Sequence, residues 1–260
     1  MTHDPAAAPG PVRGSPKWLI ALALPVLLLG GLAGWFWHAQ RTQADPAAAL
    51  SGESRAAIEK VVHDYILDHP EILPQAMANL QRRENAKQLG DIRGDLETPF
   101  PGAVLGNPQG TVTLVEFTDF ACGYCRQSVS DVERLAKDNP DLRIVIRELP
   151  ILSAESADAA RMALAAAEQG KYPAFHTAMF AAGRPSKETI AAAAKAAGLN
   201  PARAAKVAAS KAVEAELARN VDLARQLGFS GTPSWVAGDD VLSGAVGFDR
   251  LQEAVSDARG

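Results

Sequence analysis

Cys122 and Cys125 are the only cysteines among 260 residues, and they stand three apart in Glu116-Phe117-Thr118-Asp119-Phe120-Ala121-Cys122-Gly123-Tyr124-Cys125. An apolar, strand-like run from Thr111 to Phe117 leads into them, and an amphipathic helix pattern follows. A thiol at a helix start meets unpaired backbone N–H groups and the positive dipole end, which favour the thiolate. The thiolate is the form that attacks a disulfide. The pair therefore reads as a redox dithiol, with Cys122 exposed and attacking and Cys125, one helical turn in, resolving. A zinc site would need further Cys or His ligands at matched spacing. There is no second CxxC, and His63, His69 and His176 are distant in sequence. A structural disulfide closing so short a loop constrains the unfolded chain little. No metal and no cofactor is implied.

The flanking segments supply the frame. A strand at Thr111–Phe117, a helix from the CxxC to about Asp138, a turn at Asn139-Pro140-Asp141 and a strand at Leu142–Leu149 form a βαβ unit. Helical patterns then fill Ser156–Gln169, Pro173–Ala182, Lys187–Ala197, Pro201–Ser210 and Lys211–Leu227. Short strands at Pro233–Ala237 and Val241–Ser243 and a helix at Asp249–Asp257 close the chain. Glu116 lies late in the first strand, where alternation allows it to point into the core beneath the dithiol; the other reading is a surface glutamate at the strand edge. Burial there raises a carboxyl pKa and lets it take a proton from Cys125. His176 reads as a satisfied helix histidine, Trp235 as core or groove wall, and Asp119 and Arg126 as surface charges.

Before this domain, Ile58, Val61, Val62, Tyr65 and Ile66 recur at helical spacing until His69-Pro70 breaks the helix. A second helix follows from about Glu71 to Leu89, with Ile72, Leu73, Ala76, Met77 and Leu80 on one face. Asp91–Gly106, rich in glycine and proline, reads as a loop. Residues 18–37 carry no charge and are bounded by Trp18 and by Trp35, Phe36 and Trp37. That matches a membrane span, and Arg13 and Lys17 ahead of it keep the N-terminus cytoplasmic. The alternative is a cleaved signal, with Thr42-Gln43-Ala44 an imperfect cleavage site. Either way the catalytic domain is exported. The expected division is a cytoplasmic tail at 1–17, anchor or signal at 18–37, linker at 38–54, helical segment at 55–97 and catalytic domain at 98–260. The helical insertion of that domain covers about 153–228. A net charge of -4 with mixed signs gives no nucleic-acid signature.

Strand, CxxC helix, strand, helical insertion, then Gly231-Thr232-Pro233 and a hairpin resemble the DsbA-like thioredoxin fold, an α/β fold, over roughly 108–258. The resemblance implies that Pro233 is the cis proline facing the cysteines and that Thr232 offers its backbone to an extended substrate. It implies that Gly123 and Tyr124 adjoin the substrate and tune the reduction potential. It also places an acidic residue at Glu116. Tyr65-Ile66-Leu67-Asp68-His69-Pro70-Glu71 resembles the N-terminal region of the suppressor of copper sensitivity protein C group, where this region can drive oligomerisation. The implied activity is disulfide isomerase or reductase. Implied partners are exported proteins with cysteines, a membrane redox partner that resets the dithiol, and copies of the chain joined through 55–89. A dithiol oxidase, a thiol-based copper or zinc handler and a chaperone-like assembly are the competing readings.

Overall fold

The computed structural model describes residues 52–259. The 18–37 anchor or signal therefore lies outside the described residues, among which no helix is long and apolar enough to cross a membrane. The described residues divide into two compact units, 52–73 and 74–259.

In the first unit, helix α1 spans Gly52–Asp68. It ends where the sequence predicts, since the amide of Ile72 turns back to the carbonyl of His69 at 3.1 Å across the proline. Ile58, Val61, Val62, Tyr65 and Leu67 are all exposed on it. Side-chain pairs four residues apart, Arg55–Glu59 and Lys60–Asp64, decorate its surface. Helix α2, Ile72–Gly90, carries the chain onward.

The second unit is built on a five-stranded sheet in the order β1-β3-β2-β4-β5. Its strands are β1 (Val104–Gly106), β2 (Val112–Thr118), β3 (Leu142–Glu148), β4 (Ser234–Ala237) and β5 (Asp240–Ser243). β2 and β3 run parallel, joined through helix α4 (Gly123–Asp138). Their register sets Glu116 beside Ile146 and Thr118 beside Glu148. Successive side chains on a strand alternate faces, so Leu114, Glu116, Thr118, Ile144, Ile146 and Glu148 share one face. The apolar members of that face pack in one core with Cys125, Val132 and Leu135 of α4 and with Leu251 and Val255 of α10 (Phe248–Asp257). The opposite face, with Val115, Phe117 and Val145, packs on Leu89 of α2, Leu96 of α3 (Arg93–Glu97) and Leu223 of α9 (Lys211–Gln226).

Helices α5 (Ala154–Ala167), α6 (Tyr172–Ala181), α7 (Lys187–Ala196), α8 (Pro201–Ala208) and α9 form the insertion between β3 and β4. Buried Ala159, Ala160, Ala163, Ala165 and Ala166 keep α5 slender, so neighbouring helices pack closely on it. These boundaries follow the sequence pattern to within a residue or two.

Two elements differ from it. The stretch read as a loop, Asp91–Gly106, contains α3 and β1. Neither is long enough to show a period, and tertiary contacts make both. β1 pairs antiparallel with β3, Val104 opposite Val145. The carbonyls of Leu96 and Thr98 accept hydrogen bonds from the buried guanidinium of Arg147. Arg147 also donates to Glu216 at 2.6 Å and to Asn220 at 3.2 Å, which tie α9 to β3. Leu89 and Leu96, on the N-terminal side of the expected 97/98 division, belong to the core of the sheet.

Candidate active site

Cys122 is the N-cap of α4, and its Sγ accepts from the backbone N–H of Cys125 at 3.3 Å. The sulfur thus takes the place of a capping oxygen on an amide that has no partner within the helix. Its thiol donates to the carbonyl oxygen of Thr232 at 3.2 Å. The reduced sulfur thus sits between a backbone donor and a carbonyl acceptor. Cys122 is only 5% exposed, more enclosed than the sequence reading expects, because the Thr232 loop lies against it. The Thr232–Pro233 peptide bond is cis, as the resemblance implies. That loop borders a cleft of about 270 Å³ lined by Ser230, Gly231, Thr232, Pro233, Ser243 and Gly244. A larger cleft, about 640 Å³, lined by α2 residues with Asp240, Leu242 and Arg250, contains neither cysteine.

Cys125 is buried against the core. Burial pushes its thiol pKa far up, and the charge of Glu116 adds to the rise. The Thr232 hydroxyl faces it and opposes the rise, without the geometry of a full hydrogen bond. Glu116 is 2% exposed, in the inward place that alternation allows, and burial raises its carboxyl to about 8. Thr118 is the polar neighbour that works against that shift, and Oε2 of Glu116 has no partner. A group titrating near 8 can take or return a proton close to neutral pH.

Gly123 is exposed at the first helical position, where an added Cβ meets nothing within 4 Å. Tyr124 is 64% exposed beside the sulfurs. Ile151 and Leu152 are exposed as well.

Asp119 and His176 are not what the sequence reading expects. Asp119 is buried rather than a surface charge. One carboxylate oxygen accepts from Ala121 at 2.8 Å, and the other from Ile151 at 2.9 Å and Leu152 at 3.0 Å. It fastens the approach to Cys122 to the Ile151–Leu152 loop. Arg126 is half-buried and donates to the carbonyl of Phe180 at 3.0 Å. His176 is buried among Phe120, Tyr172 and Phe180 with no partner on Nε2, and burial lowers it to about 4, so it is neutral at physiological pH.

Residues 113–256 match the family described as DSBA-like thioredoxin domain. The chain belongs to that family. Its residues 55–87 match the copper resistance protein ScsC N-terminal domain. Among solved structures it is 44% identical to a thioredoxin-like oxidoreductase from Silicibacter pomeroyi, covering 60% of this chain and 91% of that one, with a TM-score of 0.57. It is 27% identical to a linker-deletion mutant of Proteus mirabilis ScsC, covering 81% of this chain and 97% of that one, with a TM-score of 0.61. A Na(+)/H(+) antiporter NhaA 3 from Salinispora tropica is 31% identical over 160 residues, 60% of this chain and 24% of that protein. The chain thus spans about a quarter of the length of the curated relatives it matches.

The DsbA-like frame brings Cys122, Cys125, Thr232 and Pro233 together, with Glu116 beneath them. Three residues near the site went unnoticed in the sequence: Asp119 as a loop fastener, Glu148, and Tyr172, whose O–H donates to Glu148 at 2.6 Å. One signal was present. Arg147 and Glu148 are adjacent charges that directly follow the apolar run Ile144-Val145-Ile146 in one strand, and such charges are buried only when paired.

Proposed function

We propose that this protein is an exported thiol-disulfide oxidoreductase that reduces or reshuffles wrong disulfides through Cys122-Gly123-Tyr124-Cys125. The observation that carries the reading is the asymmetry of the two sulfurs. Cys122 caps the helix against the Thr232 loop, while Cys125 is sealed above Glu116. The Cys122 thiolate attacks one sulfur of a substrate disulfide, forming a mixed disulfide and expelling the other sulfur as a thiolate. In reshuffling, that freed thiolate, or another substrate thiolate, attacks the mixed disulfide and returns Cys122 to its reduced form. In net reduction, Cys125 passes its proton to Glu116 and attacks Cys122. The Cys122–Cys125 bond forms, the remaining substrate thiolate leaves, and it recovers the proton. A membrane redox partner then returns two electrons to the pair. Thr232 offers its backbone to an extended substrate, and Tyr124 lends an apolar edge.

Export rests on residues 18–37, as anchor or signal, and the catalytic domain then lies on the periplasmic side. The exposed apolar row on α1 and the match of 55–87 to the ScsC N-terminal domain support self-assembly through 55–89. Facing dithiols in such an assembly suit reshuffling.

The test is reactivation of a scrambled multi-disulfide protein by the full chain and by residues 74–260, the second compact unit. The expected result is reshuffling by the full chain, with 74–260 only reducing or oxidising. Rapid dithiol oxidation by both, without reshuffling, would make this an oxidase instead.

A further inference from the structure

β5 is an edge of the sheet, and among the described residues its outer side pairs with no strand. The β4–β5 ladder sets Ser234 opposite Ser243 and Val236 opposite Val241. One step beyond it, the N–H of Gly244 donates to the carbonyl of Pro233 at 2.8 Å. Hydrogen-bonded pairs alternate along an antiparallel ladder, so Leu242 and Asp240 turn their main-chain groups toward β4. Val241 and Ser243 turn theirs outward, and no backbone or side-chain group of the described residues bonds to them. This bare edge borders the cleft of about 640 Å³, which β5 lines from Asp240 to Leu242. α2 forms one wall through Gln75 and Ala78, and α10 the other through Arg250. The two helices pack on opposite faces of the sheet, through Leu89 and Leu251, so the slot between them opens onto the edge of β5. At its far end the strand meets the catalytic loop, since Ser243 and Gly244 line the cleft of about 270 Å³ beside Thr232 and Pro233.

The chemistry of the slot names its occupant. Its arginines are already paired, Arg82 with Asp257 at 3.1 Å and Arg250 with Asp240 at 3.0 Å, so neither is left to recruit a small anion. Asn85 and Arg93 hold the α2 side at the β4–β5 turn by bonds to the carbonyls of Asp239 and Gly238, at 3.1 and 2.9 Å, without using the outward groups. What remains is the N–H and C=O of Val241 and of Ser243, a donor and an acceptor repeated at every second residue. An extended main chain repeats its own donor and acceptor at the same interval. We propose that an extended segment of the substrate polypeptide docks here as a sixth strand on β5, between α2 and α10. The inference rests on the reading that the substrate is a disulfide-bearing polypeptide that reaches Cys122 past Thr232. Main-chain hydrogen bonds carry the docking, so it makes little demand on sequence. A folded region has its main chain already paired and is refused, whereas an unfolded segment is accepted. Long, misfolded substrates thereby gain an anchor near the thiols that small disulfides lack. No bond to sulfur forms or breaks at β5.

The probe is reduced, carboxymethylated ribonuclease, an unfolded chain with no thiol to exchange, and its binding to the full-length protein is read by fluorescence anisotropy. Val241→Pro removes one outward N–H and no bond of the β4–β5 ladder, so binding should weaken about fivefold, the share of one hydrogen bond. Ala78→Trp fills the slot from an exposed position on α2 and should remove binding, which keeps the idea testable if Val241→Pro does not fold. A short threonine-rich peptide should compete with the probe, and the same peptide N-methylated at alternate residues should not. In turnover, both variants should raise KM for scrambled ribonuclease and leave the reaction with oxidised glutathione unchanged. A wild type that exchanges no disulfide with either substrate refutes the oxidoreductase reading, while the binding measurements, which involve no thiol, still decide the slot. Probe binding unmoved by Ala78→Trp, or competition undiminished by N-methylation, overturns the proposal.

Discussion

At the residue scale, the two cysteines differ in what surrounds each sulfur. Cys122 has a backbone N–H on one side and a carbonyl on the other, whereas Cys125 has apolar core and the Glu116 carboxyl. Cys122→Ser is expected to abolish exchange. Cys125→Ser is expected to leave attack intact and accumulate the mixed disulfide with glutathione, visible as one glutathione adduct by intact mass. Glu116 predicts a pH dependence of stability. Its folded pKa is raised from the ordinary 4.5 to about 8, so the folded state binds the proton more tightly than the unfolded state. Stability from this group is fully present below the unfolded pKa and is lost as pH rises toward 8. The loss is up to roughly 5 kcal/mol at 1.36 kcal/mol per unit. Glu116→Gln should remove this slope, so that reduced variant and wild type diverge between pH 5 and 8 in urea titrations, the variant gaining with pH. Parallel curves would show that Glu116 is not protonated in the fold.

At the element scale, the dithiol helix is positioned by strands and loops that meet only in three dimensions. β2 ends at Thr118, and Asp119 then bonds forward to Ala121 and across to Ile151 and Leu152 after β3. Asp119→Ala leaves three amides without their carboxylate acceptor. A loss of about 2–4 kcal/mol is expected in urea unfolding, since bonds to charged groups are worth about 1.5–3 kcal/mol each and water recovers part. Substrate KM should rise along with it, because Asp119 also holds Ala121 on the approach to Cys122. An unchanged midpoint and KM would mean water replaces the carboxylate without consequence. Arg147 does on the opposite sheet face what Asp119 does near the thiols. It gathers the α3 carbonyls, Glu216 and Asn220, so a segment with no secondary-structure signal is held by one side chain.

At the whole-molecule scale, α1 bears a row of large apolar side chains in water, Ile58, Val61, Val62 and Tyr65, with Leu67 exposed on the other side of the helix. Such a row ordinarily marks an interaction surface. On the reading proposed above it meets the same row on other copies. Val61→Lys with Val62→Lys should then reduce the assembled mass of the full chain in light scattering and remove reshuffling, while reduction of small disulfides continues. Assembly unaffected by both lysines would place the contact elsewhere.

Much of this protein is legible in the order of its residues. The CxxC after a β-rich run, the 3.6-residue periods of α4–α10 and the Gly231-Thr232-Pro233 hairpin are local patterns, and helices and turns are set largely by neighbours in sequence. Alternation along β2 allowed Glu116 an inward place, and the folded sheet gave it one. What only the tertiary structure decided depends on residues far apart in the chain. Burial of Asp119 follows from a loop 32 residues later, and the Glu148–Tyr172 bond from α6 folding over β3. α3 and β1 exist because Arg147 and the edge of β3 supply their partners. Burial and partnership decide whether a charge is a surface ornament or a working group, and neither is a property of any short stretch of sequence.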